Sequence, residues 1–274
     1  MQKPEIINSE RSLISLAELN RYRELFWMLA WRDFRVRYAQ TMMGVLWAFF
    51  QPALTIIILY VVFGRFAQVE TGSIPHIVYT ACGTLAWTYF AYVMQNSGNS
   101  IIVAQAMVRK IYFPRIIIPL SKAVVGLIDF AINALILTVL IIVFQVPVSS
   151  NIIFLPIFLL LAILSALGMG IWLSGLTIRF RDFQYVVPFM VQLGLYITPT
   201  AYPSEFAISR LPEWGSFLYF LNPMAGIVEG FRWSILGTDP PVMMSMISFA
   251  ATIVLFITSL FYFRSIDGKI ADIV

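Results

Sequence analysis

Long apolar stretches separated by short polar segments make up most of this chain. A hydrocarbon core of about 30 Å requires about 20 helical residues, and six stretches reach or approach that length. We predict six transmembrane helices at residues 43–64, 76–97, 116–144, 152–177, 184–201 and 242–263. The fifth is the shortest and contains Pro188 and Pro199. The pattern predicts a single all-α integral membrane domain over residues 1–274, with a six-span bundle at residues 43–263.

The segment before the first span, residues 12–40, has an amphipathic rather than a uniformly apolar pattern. Leucines recur there at helical spacing among arginines, and Trp27 and Trp31 are of the residue type that favours the headgroup layer. We predict an N-terminal helix lying in the membrane interface. A cytosolic arm packed against its own protein is the alternative. In both interpretations this segment lies outside the hydrocarbon.

Composition and charge support a membrane topology. The chain is 60% hydrophobic and 12% charged, with a formal net charge of +4. The basic residues lie beside apolar stretches, so we predict contact with membrane lipid and no nucleic-acid partner. Fifteen Lys and Arg residues fall on one side of the predicted spans, whereas Arg65, Arg210 and Arg232 fall on the other. This asymmetry predicts cytoplasmic N and C termini, which an even number of spans also requires.

Candidate catalytic groups are few. The single histidine, His76, has no Ser, Cys or carboxylate cluster near it in the sequence, so we predict no catalytic or metal site. The phosphate-binding motif GxxxxGK[ST] is absent, so an ATPase working with this protein would be another chain. Asp129 is the one acidic residue well inside a span. A bond to Asn133, or to another helix, would satisfy Asp129 without a transport role, whereas a proton relay is the competing interpretation.

The cytoplasmic segment 98–115 is too polar at both ends to cross the membrane. It carries Arg109, Lys110 and Arg115 around a short apolar stretch. Such a stretch suits docking into a partner's groove, or a plain loop held at the headgroups by its basic residues.

The longest external segment, residues 202–241, is strongly apolar and has Asn222-Pro223 at its centre. We predict two short helices that dip into the membrane, with an ion pair between Glu229 and Arg232 one turn apart. The alternative, a single imperfect seventh span, conflicts with the even number of spans.

Five strings carry a resemblance to a known family, and they occur in register with the predicted spans over nearly the whole chain. They are VRYAQTMMGVLWAFFQPALT (36–55), KIYFPRIIIPLS (110–121), IRFRDF (178–183), ITPTAYP (197–203) and YFLNPM (219–224). Together they resemble the ABC-2 type permeases that export O-antigen and related polysaccharides. The resemblance implies a homodimer in the bacterial inner membrane, with two copies of a separate cytoplasmic ABC ATPase and a lipid-linked glycan as substrate.

ATP and magnesium would then belong to the ATPase, and this chain would carry no cofactor and perform no covalent chemistry. A teichoic-acid exporter, or another ABC-2 exporter, is the nearest alternative. An ion-coupled carrier is the alternative from a different class, although it would require more intramembrane charge than Asp129 supplies.

The resemblance also implies roles for particular segments. Residues 98–110 resemble the family's coupling helix, with candidate contacts to the ATPase at Ala104, Met107, Arg109 and Lys110. Residues 204–236 resemble paired re-entrant helices closing the periplasmic exit, with gate candidates Asn222, Pro223, Glu229 and Arg232. The first and fifth spans supply the channel-lining candidates Trp47, Phe50, Tyr60, Tyr185 and Tyr196.

Overall fold

The computed structural model describes residues 16–38 and 44–273, and all regular structure in these two ranges is helical. The α-helices there are α1 (Leu16–Arg21), α2 (Arg23–Tyr38), α3 (Gly44–Leu59), α4 (His76–Val103), α5 (Gln105–Val108), α6 (Ile117–Val143), α7 (Leu155–Arg179), α8 (Phe183–Ile197), α9 (Ser204–Ile208), α10 (Glu213–Phe220), α11 (Pro223–Leu236) and α12 (Ser245–Ile273). A π-helix, Tyr60–Phe66, continues α3, and a 3-10 helix, Ser150–Phe154, precedes α7. The predicted all-α class is confirmed.

Within the described ranges, five helical segments are long and apolar enough to cross a bilayer. They are Leu46–Phe66, His76–Val103, Ile117–Val143, Ser150–Arg179 and Ser245–Asp267. The fifth predicted span corresponds to α8, which is apolar but has 15 residues. At about 1.5 Å per residue it is about 22 Å long, shorter than the hydrocarbon core. The chain is therefore a multi-pass membrane protein, and its described ranges contain five full-length candidate spans.

The central helix of the bundle is α4, against which α3, α6, α7, α8 and α11 all pack. Glycines on its neighbours allow this close approach. A Cβ at Gly126 of α6 would lie 2.7 Å from Val93, and one at Gly170 of α7 would lie 2.5 Å from Ser97. Small residues at such crossings favour helix association in lipid, because the backbones come near enough to maximise dispersion contacts. Helix α4 is thus the packing centre for these five helices, whereas α12 packs on α7 and α11, and α2 packs on α6.

The bundle has two ends. We call the end formed by α2, α5, residues 109–116 and residues 180–182 the basic end. The end formed by the π-helix, residues 67–75 and residues 198–244 is called the distal end.

Helix α8 runs antiparallel to α4 between these ends. A Cβ at Gly98 would lie 3.9 Å from Val187, near the start of α8. A Cβ at Gly83 would lie 2.2 Å from the carbonyl oxygen of Thr200, just beyond the end of α8. The chain from α8 to Thr200 therefore passes from the basic end to the distal end, although the helix itself is short.

Candidate functional site

The segment between α4 and α6 forms an exposed surface at the basic end. The one-turn helix α5 buries Val108, and Ala104 at its N-cap is buried as well. Arg109 and Lys110 are exposed, and Met107 is half-buried. Sequence reasoning missed the apolar part of this surface, which consists of the exposed side chains Val103, Ile111 and Tyr112. We call Arg109, Lys110, Ile111 and Tyr112 the coupling surface, after the role that the resemblance implies for this segment.

The coupling surface is fixed to a distant helix at its C-terminal side. Arg115 donates a hydrogen bond to the backbone carbonyl of Asp267, and its guanidinium lies 3.3 Å from the Asp267 carboxylate. Because Asp267 belongs to α12, a displacement of this segment would act on α12 as well as on α6.

Two ion pairs join α2 to α6. Lys122 of α6 pairs with Asp33 of α2, and Arg37 of α2 lies 3.0 Å from the Asp129 carboxylate of α6. Tyr38 donates a hydrogen bond to the same carboxylate. Burial and this hydrogen bond raise the pKa of Tyr38 above its ordinary value, which keeps its hydroxyl a proton donor. We call these five residues the α2–α6 clamp.

The clamp decides between the predicted partners of Asp129. Its carboxylate bonds across to another helix, which was one of the two structural interpretations. The other, a bond to the Asn133 side chain, is wrong: Asn133 Nδ2 donates to the backbone carbonyl of Asp129 at 2.8 Å. An Asn one turn further along a helix reaches that carbonyl directly, which leaves the carboxylate free to face α2. The Arg37 guanidinium also lies 4.4 Å from the centroid of the Tyr92 ring.

The predicted interfacial segment 12–40 forms two helices, α1 and α2, with a turn at Tyr22 between them. Residues 12–15 and 39–40 lie outside the described residues. Leu29 and Ala30 are buried, whereas Trp27 and Trp31 on another face are each 60% exposed. Helix α2 therefore packs on its own protein and also presents an exposed aromatic face.

At the distal end, the helices break at Asn222-Pro223 as predicted. The Asn222 side chain caps α11 by accepting from the backbone N–H of Met224 at 3.0 Å, and it donates to Thr198 Oγ1 at 2.8 Å. Pro223 occupies the first turn of α11, where its missing N–H costs nothing. The break replaces a single seventh span by α10 and α11, and α9 is one helix more than the predicted pair.

Arg232 of α11 is the largest fully buried side chain in the described part of the molecule, with 1% exposure. Its guanidinium donates to the carbonyl oxygens of Thr200 at 2.7 Å and Tyr202 at 3.3 Å. It also lies 3.7 Å from the centroid of the Tyr79 ring of α4. We call these four residues the α11 anchor, because they connect α11 to α4 and to the segment that follows α8.

The predicted ion pair between Glu229 and Arg232 is wrong. Glu229 instead accepts a hydrogen bond from Ser245 of α12 at 2.6 Å. The two side chains extend from α11 toward different neighbours, so proximity along the helix does not bring them into contact. Burial raises the pKa of Glu229 to about 7, although the Ser245 hydroxyl acts in the opposite direction.

Four channel-lining candidates are exposed on α3 and α8. Trp47 and Phe50 have ring centroids 5.7 Å apart on α3, and Tyr185 and Tyr196 lie at the two ends of α8. The fifth candidate, Tyr60, is half-buried and faces the ring of His76 at 6.0 Å. Tyr60 thus differs from the other four candidates in being half-buried and in contact with His76.

Comparison with known proteins decides the family. Residues 24–236, well over half of the chain, match the sequence profile of the ABC-2 type transporter. This chain belongs to the ABC-2 type transporter family. ABC-2 permeases are transport subunits rather than enzymes, and they work in ABC transporters with a separate ATPase.

The relatives of this ABC-2 chain agree in name. An O-antigen export system permease protein RfbA of Klebsiella pneumoniae is 28% identical over 244 residues, which cover 88% of this chain and 92% of the relative. A protein of the same name from Myxococcus xanthus is 24% identical over 78% of this chain and 81% of its own length. A second one from Klebsiella pneumoniae is 27% identical, with coverages of 73% and 76%. The similarity therefore extends over most of both chains.

Proposed function

We propose that this chain is the permease subunit of an ATP-driven exporter that moves a lipid-linked polysaccharide of the O-antigen type across the bacterial inner membrane. One observation carries the proposal: an exposed coupling surface lies between two spans of an ABC-2 chain whose relatives are named O-antigen export permeases. The chain has the surface that a separate ATPase needs in order to act on the bundle.

The proposed topology has six spans, with α8 and the residues that follow it as the fifth. The antiparallel course of α8 beside α4, from Val187 to Thr200, supports this crossing. The short helices α9, α10 and α11 then form a re-entrant layer on the periplasmic side, before α12 returns through the membrane. The concentration of basic residues at the other end supports cytoplasmic termini.

We assign the glycan path to the seam of a homodimer. Helices α3 and α8 both pack on the buried helix α4, and both leave aromatic side chains exposed. A second copy facing them would enclose a path bordered by Trp47, Phe50, Tyr185 and Tyr196. Aromatic rings suit a moving sugar chain, because ring stacking does not require one fixed set of hydrogen bonds.

The ATPase motion enters through the coupling surface in this mechanism. Two copies of the ATPase, which carry ATP and magnesium, dock near Arg109 and Lys110. Their closure moves α6 directly, moves α12 through the Arg115 link, and moves α2 through the α2–α6 clamp. The seam then opens at the basic end and admits the lipid-linked glycan.

The clamp also bears on the rival interpretation of an ion-coupled carrier. Asp129, the carboxylate that a proton relay would use, lies against Arg37 and accepts from Tyr38. Both of these partners belong to α2, so the Asp129 carboxylate joins two helices. This arrangement favours a structural role for Asp129.

The test is co-purification of the tagged chain with a co-expressed candidate ABC ATPase, followed by ATP hydrolysis with and without lipid-linked glycan. We expect a stable complex whose hydrolysis rises when the glycan is added. The double variant Arg109→Glu, Lys110→Glu should insert normally. The amount of ATPase that co-purifies with it should fall by about ten-fold or more, because charge reversal at an interface costs several kcal/mol. Arg210→Glu, at the distal end, is the matched control. Normal complex formation by the double variant would contradict the assignment of the coupling surface.

A further inference from the structure

We propose that a phospholipid of the outer leaflet binds beside the distal end of α3, with its phosphate on Arg65 and its acyl chains between α3 and α6. The evidence lies in the π-helix, in a cavity beside it and in the apolar surface below. The choice of leaflet rests on the topology proposed above, whereas the binding itself does not depend on which substrate the chain transports.

The π-helix places Tyr60 and Arg65, the two side chains of the proposed phosphate site, on one side of the chain. A π-helical turn has i to i+5 hydrogen bonding, so Tyr60 and Arg65 lie one turn apart, and such turns are frequent at functional sites. Arg65 Nε donates to the Tyr60 hydroxyl at 3.0 Å, and the guanidinium carbon lies 5.8 Å from the ring centroid. These contacts orient Arg65 through one of its five N–H groups. The terminal nitrogens of Arg65 form no ion pair with a carboxylate of the described residues.

A cavity of about 370 Å³ opens beside this pair. Its lining residues are Tyr60, Gly64, Arg65, Pro75, His76, Ile77 and Phe144. Gly64 permits the approach of the two helices, because a Cβ at this position would lie 2.9 Å from the ring of His76. The lining thus combines one cation with apolar surface and contains no carboxylate, which suits an anion attached to an apolar group.

The surface below the cavity is apolar and exposed. Helices α3 and α6 pack against each other. Val62 on the π-helix is exposed, as are Val139, Ile142 and Val143 on α6. Phe144, the next residue of the chain after α6, lines the cavity itself. The apolar surface therefore adjoins the cavity that Arg65 lines, so a lipid phosphate bound to Arg65 would have its acyl chains against apolar side chains.

The number of charges favours a phosphodiester over other anions. A single guanidinium matches the single negative charge of a phosphodiester and binds its oxygens in a two-pronged geometry. A pyrophosphate carries more charge, and a sugar presents several hydroxyls. The cavity is lined by three polar side chains, Tyr60, His76 and Arg65, which are too few to satisfy either of these ligands.

The experiment counts phospholipid retained by the purified full-length chain, using native mass spectrometry after delipidation and addition of phosphatidylglycerol. Arg65→Gln should weaken retention by about ten-fold or more, as expected for loss of charge-assisted hydrogen bonds. Tyr60→Phe, which keeps the ring and removes the hydroxyl that orients Arg65, should weaken it by a smaller factor. Arg210→Gln is the matched control, because Arg210 is an exposed distal arginine lying 3.7 Å from an aromatic ring, that of Phe206, and outside this cavity.

Diacylglycerol with the same acyl chains, and inorganic phosphate alone, are the two ligand controls. Neither should be retained, because each offers only half of the required chemistry. Equal retention of diacylglycerol, or an equal loss in the Arg65 and Arg210 variants, would overturn the proposal. Displacement of the phospholipid by lipid-linked glycan at equal concentration would also overturn it, because the cavity would then be a substrate site.

Discussion

The α2–α6 clamp and the α11 anchor both hold charged side chains inside the bundle, but they satisfy those charges differently. In the clamp, Lys122 and Arg37 each face a carboxylate on the neighbouring helix. In the anchor, Arg232 faces two backbone carbonyls and an aromatic ring. An ion pair depends on the signs of two side chains, whereas an arginine held by fixed carbonyls depends on the shape of the backbone around it. The clamp should therefore tolerate exchanged charges, and the anchor should not tolerate a different cation.

The largest effect is expected at the anchor. Arg232→Ala leaves two buried carbonyls without donors and opens a cavity, so we expect a loss of about 3 kcal/mol in the free energy of unfolding. Arg232→Lys should recover only part of it, because an ammonium lacks the planar, two-pronged geometry. Thermal unfolding of the purified protein in detergent measures both. Arg210→Ala, at an exposed position, should change stability by less than about 0.5 kcal/mol. Full recovery in the Lys variant would show that charge alone matters.

A second effect tests the backbone shape around the anchor. In Gly83→Ala the new Cβ would lie 2.2 Å from the Thr200 carbonyl oxygen and 2.6 Å from the Arg232 guanidinium. Backbone cannot move as cheaply as a side chain, so we expect a loss of about 1–3 kcal/mol in thermal unfolding. Gly98→Ala on the same helix is the control. Its Cβ would meet the Leu173 side chain at 3.2 Å, which can shift, and an equal loss there would remove the distinction.

A third effect is specific to the clamp. Asp33→Lys and Lys122→Asp each place like charges together and should lower stability by about 2 kcal/mol, between the values for exposed and buried pairs. The double variant restores opposite charges and should recover at least half of the loss. The measurement is a thermal double-mutant cycle, with ATP-dependent export of each variant recorded beside it. Additive losses in the double variant would mean that the two side chains do not interact.

The smallest effect concerns Glu229, which is bonded to Ser245 and lies near Glu205 and Arg232. Its pKa is raised from 4.5 to about 7, so its contribution to stability is greatest below pH 4.5 and is lost as pH rises toward 7. Glu229→Gln removes the cost of holding a buried carboxylate. We expect the variant to be more stable than the wild type at pH 8 and nearly equal at pH 5. Glu213→Gln, at an exposed position, should show no such difference.

The sequence predicts the features of this fold that depend on local pattern. The stretch 116–144 predicted α6, found at Ile117–Val143, because a long apolar run is a signal contained in the run itself. The break at Asn222-Pro223 was equally predictable, since a helix-capping residue followed by proline is a local start signal.

Contacts between distant segments were beyond prediction. Asp129 and Tyr38 lie 91 positions apart, and only the packing of α2 on α6 brings them together. The pair of Glu229 and Arg232 failed for the opposite reason. Their spacing is right for an isolated helix, but Arg232 bonds to carbonyls of the segment after α8, and Glu229 bonds to Ser245 of α12. The exposed apolar residues Ile111 and Tyr112 were missed because their exposure depends on where α4 ends.

The most direct test of the account is translocation in sealed proteoliposomes that contain this chain and its ATPase. Fluorescent lipid-linked glycan is supplied on the outer side, where the ATPases face the medium, and its loss from that leaflet is followed by quenching. We predict movement that requires ATP, stops with Arg109→Glu, Lys110→Glu and is unaffected by dissipating ion gradients. Movement driven by an ion gradient without ATP would contradict the account and restore Asp129 as a candidate transport residue.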